Sequence, residues 1–176
     1  MKSISNLKTP PGYLAIVKMP DQVEIPESGL VLALDRIQDP GNMGTIIRLA
    51  DWFDISHILC SQDTVDRYNP KCVQATMASI ARVNVHYLDL KSFLAQTSLP
   101  VITTSMDAPS IYDIQFPSDG ILVMGSESHG VTADIMKLGD AVSIPRYGSN
   151  HAVTESLNVA TATSIILSEW RRSIGR

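Results

Sequence analysis

Short, almost unbroken apolar runs recur along this chain, separated by longer stretches whose apolar residues return at helical spacing. LVLALD (30–35) is the clearest run. A segment apolar at nearly every position reads as a strand buried on both faces, which requires helices above and below the sheet. Further strands are predicted at HILC (57–60), RVNVHYL (82–88), PVITTSM (100–106), GILVMG (120–125) and AVSIP (141–145). Helical patterns fill the gaps. Met43, Ile46, Ile47, Ala50 and Phe53 form one stripe. NPKCVQATMASI (69–80) has Asn69 as N-cap, Pro70 at the first helical position, and Val73, Met77 and Ile80 on one face. DLKSFLAQ (89–96), the stretch around Ala133–Leu138 and ESLNVATATSIILSEWRR (155–172) complete the set. Strands alternating with helices need crossover connections, so the expected fold class is α/β. Its sheet is mostly parallel, with helices on both faces.

The 176 residues suit one domain with a full core, and Pro10, Pro11, Pro20 and Pro26 break up the start. Residues 1–29 are therefore read as a lead-in and 30–176 as the folded unit. Charged residues make up only 18%, below the usual quarter, which suggests that some surface faces a partner. The last helix agrees, because Leu157, Val159, Ala160, Ala162, Ile165, Ile166 and Leu167 surround it on most sides. A second copy of the chain is the simplest cover. No apolar run approaches the roughly 20 residues of a membrane span, and no membrane partner is expected. Pro10, Pro11 and Gly12 interrupt any secretory signal, and Cys60 and Cys72 read as reduced thiols, so the expected location is cytoplasmic. A net charge of −4 excludes a uniformly basic nucleic-acid coat but leaves room for a local basic patch. His57, His86, His129 and His151 lack metal-ligand spacing, and no metal is expected.

In parallel α/β sheets ligands sit beyond the carboxyl ends of the strands. Three segments leave predicted strand ends there: 35–43, 125–131 and 144–159. The first carries a tight Pro40–Gly41 turn, then Asn42, Gly44 and Arg48. The second is bounded by glycines, which lets its backbone approach a ligand, and carries Glu127. The third brings Ser156 and Asn158 to a helix start. Each loop alone also reads as ordinary capping, with Asn42, Ser156 and Asn158 as helix caps and Arg48 solvated. Their shared placement at strand ends favours a common site.

DPGNMGTIIRLADWF, LVMGSESHG, SIPRYG and ESLNVATATSIIL, in this order and spacing, resemble the three motifs of the SpoU (TrmH-like) RNA methyltransferases of the SPOUT superfamily. The likeness spans about residues 30–172, and YNPKCVQATMASI resembles the family's segment between the first two motifs. The resemblance implies a trefoil knot in the C-terminal half, an exception to the rule against threaded chains. It also implies a homodimer built on the last helix and the first-motif helix. S-adenosylmethionine is the implied cofactor, held around Gly125, Ile144 and Leu157. The implied reaction is methyl transfer to a ribose 2′-hydroxyl of tRNA or rRNA. Arg48 would then hold phosphate and stabilise the developing alkoxide, with Asn42, Glu127, Ser156 and Asn158 completing the pocket. Arg36, Arg82 and Arg146, with Lys71, would dock RNA. The stretch 149–154 is longer than the family's usual spacing, and SISNLKTPPGYLAIV resembles a joint to an upstream RNA-binding domain.

Two other classes compete. A serine hydrolase would use Ser128, Asp140 and His151, since SESHG nearly fits G-x-S-x-G after an apolar strand. Its first glycine is Ser126, however, and no HGGG-like segment exists. A non-catalytic RNA- or SAM-binding member of the fold is the other, against which stand Asn42, Arg48, Glu127, Ser156 and Asn158. G-x-G-x-x-G is absent after every predicted strand, which argues against a dinucleotide enzyme.

Overall fold

The computed structural model describes residues 9, 12, 13, 15–21, 23–147 and 156–175. Six strands form one sheet: β1 (Leu30–Asp35), β2 (His57–Ser61), β3 (Asn84–Leu88), β4 (Val101–Thr104), β5 (Gly120–Gly125) and β6 (Asp140–Val142). Every pairing is parallel, in the order β3-β2-β1-β5-β4-β6. The helices are α1 (Pro40–Trp52), α2 (Pro70–Ala75), α3 (Leu90–Leu94), α4 (Ala133–Met136) and α5 (Val159–Ser173). The fold is the expected α/β class.

Alternation along β1 divides the core in two. Leu30, Leu32 and Leu34 join Met43, Ile46 and Ile47 of α1, Cys72 of α2 and Ile166, Leu167 and Trp170 of α5. Val31 and Ala33 turn the other way, onto Leu90 and Leu94 of α3 and Ile135 of α4. Buried Trp170 stacks on Phe116 at 4.7 Å between centroids and donates its indole N–H to Pro117 O at 2.8 Å. Trp170→Ala should therefore cost about 3–5 kcal/mol, the range for truncating a buried aromatic. A urea-denaturation midpoint within error of the parent would show that this anchor is not needed.

The 69–80 helix is shorter than its sequence pattern. Asn69 caps it and Pro70 opens it as expected, but α2 stops at Ala75. Met77 and Ala78 then take positive φ, and a 3₁₀ turn covers Ser79–Ala81. Val73 and Met77, predicted to face the core, are exposed; Cys72 is the buried residue. The cause is close packing. Gly44 of α1 lies so near Cys72 O and Ala75 Cβ that a Cβ would meet both at 2.6 Å. The helix pair is thus fixed by backbone approach, and the apolar stripe does not choose the face. Strand β3 also starts later than predicted, β4 and β6 are shorter, and α5 begins at Val159 with Asn158 as its cap. Helix α5 is buried against the sheet and α1, and its solvent side shows Thr161, Ser168 and Arg172.

His57 of β2 and His86 of β3 stack with centroids 5.3 Å apart, and His57 Nδ1 lies 3.1 Å from His86 Nε2. One ring donates and the other accepts, so the accepting ring is neutral. Burial lowers both affinities for a further proton; the neighbouring His57 and Arg67 lower that of His86 further. Unfolding restores an ordinary pKa of about 6.5, so the unfolded chain binds more protons below that value. Stability should be intact above about pH 6.5 and fall as pH drops toward the depressed folded values. Urea midpoints at neutral and mildly acidic pH should diverge for the parent and converge for a His57→Asn, His86→Gln variant.

Candidate active site

β1 and β5 lie side by side at the sheet centre, with Asp35 paired to Gly125 at their carboxyl ends. The chain runs outward from β1 to β3, then crosses to β4, so this boundary is where strand order reverses and a crevice opens.

Beyond β1, the first loop re-enters as α1. Asp39, not Asn42, is the N-cap: its Oδ1 accepts the Asn42 N–H at 2.8 Å, with Pro40 opening the helix. That leaves the Asn42 side chain free to face the second loop. Beyond β5, residues 126–130 close on themselves through Gly130 N–H to Ser126 O at 2.7 Å. Gly130 has φ +66, which favours glycine. A Cβ on Gly125 would overlap Gly130 and the Val131 nitrogen. Glycine at 125 is thus required by the close approach of the loop's own backbone.

Glu127 projects from that loop, and three donors meet its Oε1. Asn42 Nδ2 and Asn158 Nδ2 each donate at 2.8 Å, and the Val159 N–H donates at 3.4 Å. Asn158 Oδ1 accepts the Ala160 and Thr161 N–H groups, so its amide nitrogen points outward, where it also donates to Asn42 Oδ1 at 2.9 Å. Every amide atom in this network therefore has an assigned role. Three segments spread from residue 42 to residue 158 are joined by one carboxylate oxygen. Among the described residues no donor reaches Oε2. Beside the network is a cleft of about 240 Å³ lined by Arg36, Gln38, Asn42, Ser126, Glu127 and Val159, among others.

The other expected site residues fall into two groups. Gly125 ends β5, Ile144 follows β6 half-buried, and Leu157 precedes α5 with its side chain exposed. β4 lies between β5 and β6, so Gly125 and Ile144 follow strands on either side of the one that leads to exposed Met106. Apolar side chains beside strand-end main chain suit a purine nucleoside, so these residues fit an adenosyl group. Arg48 is not in the cleft of its own chain. It lies six residues beyond Asn42, about 9 Å along α1, and shares the exposed face with Thr45 and Trp52. Ser156 is exposed, and among the described residues its side chain makes no bond to the network.

Of the expected RNA contacts, Arg36 lines the cleft. Arg82 instead grips Asp51, with Nη2 at 2.6 Å and Nε at 3.0 Å, and Asp51 also accepts from Ser79. The Arg82 bonds hold the Asp51 carboxyl below its usual range. Arg146 and Lys71 are exposed. The hydrolase triad does not assemble. Ser128 Oγ meets its neighbour His129 at 2.7 Å, and Asp140 opens β6 at the amino end of the sheet, away from the loop beyond β5. His151 lies outside the described residues.

Sequence reasoning missed Asp35. This buried carboxylate accepts both the N–H (2.7 Å) and the hydroxyl of Thr132, the N-cap position of α4. The bond fixes the exit of the Glu127 loop. Its only sequence trace is an acid closing an apolar strand.

Comparison with known proteins agrees with this architecture. The SpoU rRNA Methylase family model matches residues 29–168, and the chain belongs to that family. A TrmH-family protein from Porphyromonas gingivalis superposes with a TM-score of 0.88 at 40% identity, covering 97% of this chain and 70% of that one. An AdoMet-bound rRNA methyltransferase from Sinorhizobium meliloti gives 0.76 at 32% identity, over 84% of this chain and 57% of that one. A 23S rRNA guanosine 2′-O-methyltransferase from Bacillus subtilis is 29% identical over 96% of this chain and 68% of its own length. This chain spans 57% to 70% of the lengths of these three relatives.

Proposed function

We propose that residues 30–176 form the catalytic unit of an S-adenosylmethionine-dependent RNA methyltransferase acting on a ribose 2′-hydroxyl of rRNA or tRNA, with residues 1–29 as its lead-in. The observation that carries this reading is the Asn42–Glu127–Asn158 network at the β1/β5 crevice. In a SpoU-family chain, that is where a sugar would meet a methyl donor. S-adenosylmethionine supplies a methyl group already activated on a sulfonium. Gly125, Ile144 and Leu157 would hold it at the strand ends.

The task left to the protein is alignment of the hydroxyl and stabilisation of the alkoxide that develops. Glu127, fixed through Oε1, offers Oε2 to the ribose hydroxyls. Asn42 and Asn158 keep that carboxylate in one orientation. Ser156 would complete the same pocket. Arg48 serves as an electrostatic clamp on the neighbouring phosphate and not as a base. The hydroxyl proton leaves to phosphate or water. Because Arg48 lies outside its own chain's cleft, it acts from the second copy of a homodimer. The setting is a cytoplasm, consistent with two buried free thiols; burial pushes that of Cys72 up to about 11.

The test is methyl transfer from radiolabelled S-adenosylmethionine into unmodified 23S rRNA and tRNA transcripts, with the nucleosides then identified by mass spectrometry. A 2′-O-methylnucleoside should form and be lost in Glu127→Ala. A base-methylated product, or full turnover by Glu127→Ala, would sink the reading.

A further inference from the structure

The residue after β1 is an arginine in a conformation that side chains rarely adopt. Arg36 has φ +60, a left-handed geometry in which a Cβ crowds the backbone. Its surroundings impose it. The Arg36 N–H donates to Ser61 Oγ at 2.9 Å, and that hydroxyl lies 3.1 Å from Thr64 Oγ1, which donates to Leu34 O. One residue on, Ile37 O accepts the Val65 N–H at 2.8 Å. Strain held this firmly is a reason to ask what the side chain does. A glycine would sit here without it.

Arg36 lines the cleft beside the Asn42–Glu127–Asn158 network and is the sole cation among its lining residues. Its Nε is buried, 3.4 Å from Asp35 Oδ1, and makes no hydrogen bond among the described residues. Asp35 Oδ2 is already taken by Thr132. The guanidinium is thus oriented by a charge beneath it without its donors being consumed there. Neither carboxylate that lines the cleft pairs with Arg36 among the described residues: Asp39 accepts the Asn42 N–H, and Glu127 accepts its three donors through Oε1. A planar fork of donors in such a place suits a phosphodiester.

We propose that Arg36 is the phosphate ligand of the cleft in its own chain, gripping the RNA backbone beside the ribose that Glu127 contacts. This deepens the methyl-transfer reading and rests on it for the ribose. The phosphate assignment stands on the cleft alone. Arg36 and Arg48 then divide the backbone, one cation from each chain.

The experiment compares the full chain with Arg36→Gly and Arg36→Lys, using a single-stranded RNA decamer as probe. Binding is measured over a salt series, with thermal melting and the ¹⁵Nε resonance of Arg36 alongside. Arg36→Gly should melt no lower than the parent, because glycine relieves the left-handed backbone, yet bind RNA about tenfold more weakly. Its plot of log affinity against log salt should be shallower by about one contact, roughly 0.7 in slope. Arg36→Lys should recover part of the affinity, and RNA should shift the parent's Nε signal. Parent-like affinity and slope in Arg36→Gly would overturn the proposal. So would equal loss in both variants with lowered melting, which marks a structural role. Binding through Arg36 without methyl transfer by the parent would leave the phosphate site standing and remove the proposed reaction.

Discussion

Arg48→Ala should bind S-adenosylmethionine like the parent and transfer methyl groups about 10²–10³-fold more slowly, the usual loss when one aimed donor leaves a developing oxyanion. Calorimetry with the cofactor and single-turnover transfer to RNA separate the two quantities. The structure adds a sharper form of the test. Arg48 projects from the face of α1 shared with Thr45 and Trp52, while Glu127 lines the cleft. If each cleft borrows its arginine from the other copy, Arg48→Ala and Glu127→Ala chains complement one another when mixed. Random pairing puts half the molecules in mixed dimers with one intact site each, so about a quarter of parental turnover should return. Two dead variants that stay dead when mixed, after verified subunit exchange, would place Arg48 in its own chain's site or in none.

Gly125→Ala should have the second large effect, on stability and function together. The added methyl has no space, because Gly130 and Val131 backbone atoms occupy it. Backbone cannot rotate aside as a side chain can, so the loop must lift, and Glu127 leaves Asn42 and Asn158. Overpacking of a tight interior typically costs about 1–3 kcal/mol, and a clash with main chain belongs at the upper end. Denaturation midpoints and methyl transfer should fall together. A variant with parental stability and activity would mean that the loop has room the structure does not show. Gly130→Ala is the milder companion, since open space surrounds that position and only its positive φ is at stake.

The strands were readable because burial on both faces leaves an unmistakable run such as Leu30–Leu34. The loops were readable because Pro40–Gly41 and Gly125–Gly130 punctuate them. Asn42, Glu127 and Asn158 could be grouped since each follows a strand end or opens a helix. What the sequence hid were features set by pairs of distant atoms. Nothing in the composition marks Met77 and Ala78 as left-handed; the close approach of Gly44 to Cys72 and Ala75 goes with the early helix stop. Asp39 could not be told from Asn42 as the cap of α1, because Asp and Asn are equally favoured at that position. The Asp35–Thr132 bond joins residues 97 apart, and no local pattern records it. Arg36 was visible as a nearby cation, but its strained backbone was not.

The sheet order has a consequence for synthesis on the ribosome. β1 finishes at Asp35, gains β2 soon after, and has β5 as its other neighbour. At ordinary elongation rates the 84 residues between Asp35 and Gly120 take about 4 to 17 seconds. Throughout that interval the most apolar strand of the nascent chain presents a bare edge, the kind of surface that invites pairing with another polypeptide. A chaperone that shields Val31–Leu34 until residue 125 has emerged would therefore protect this protein at its most exposed stage.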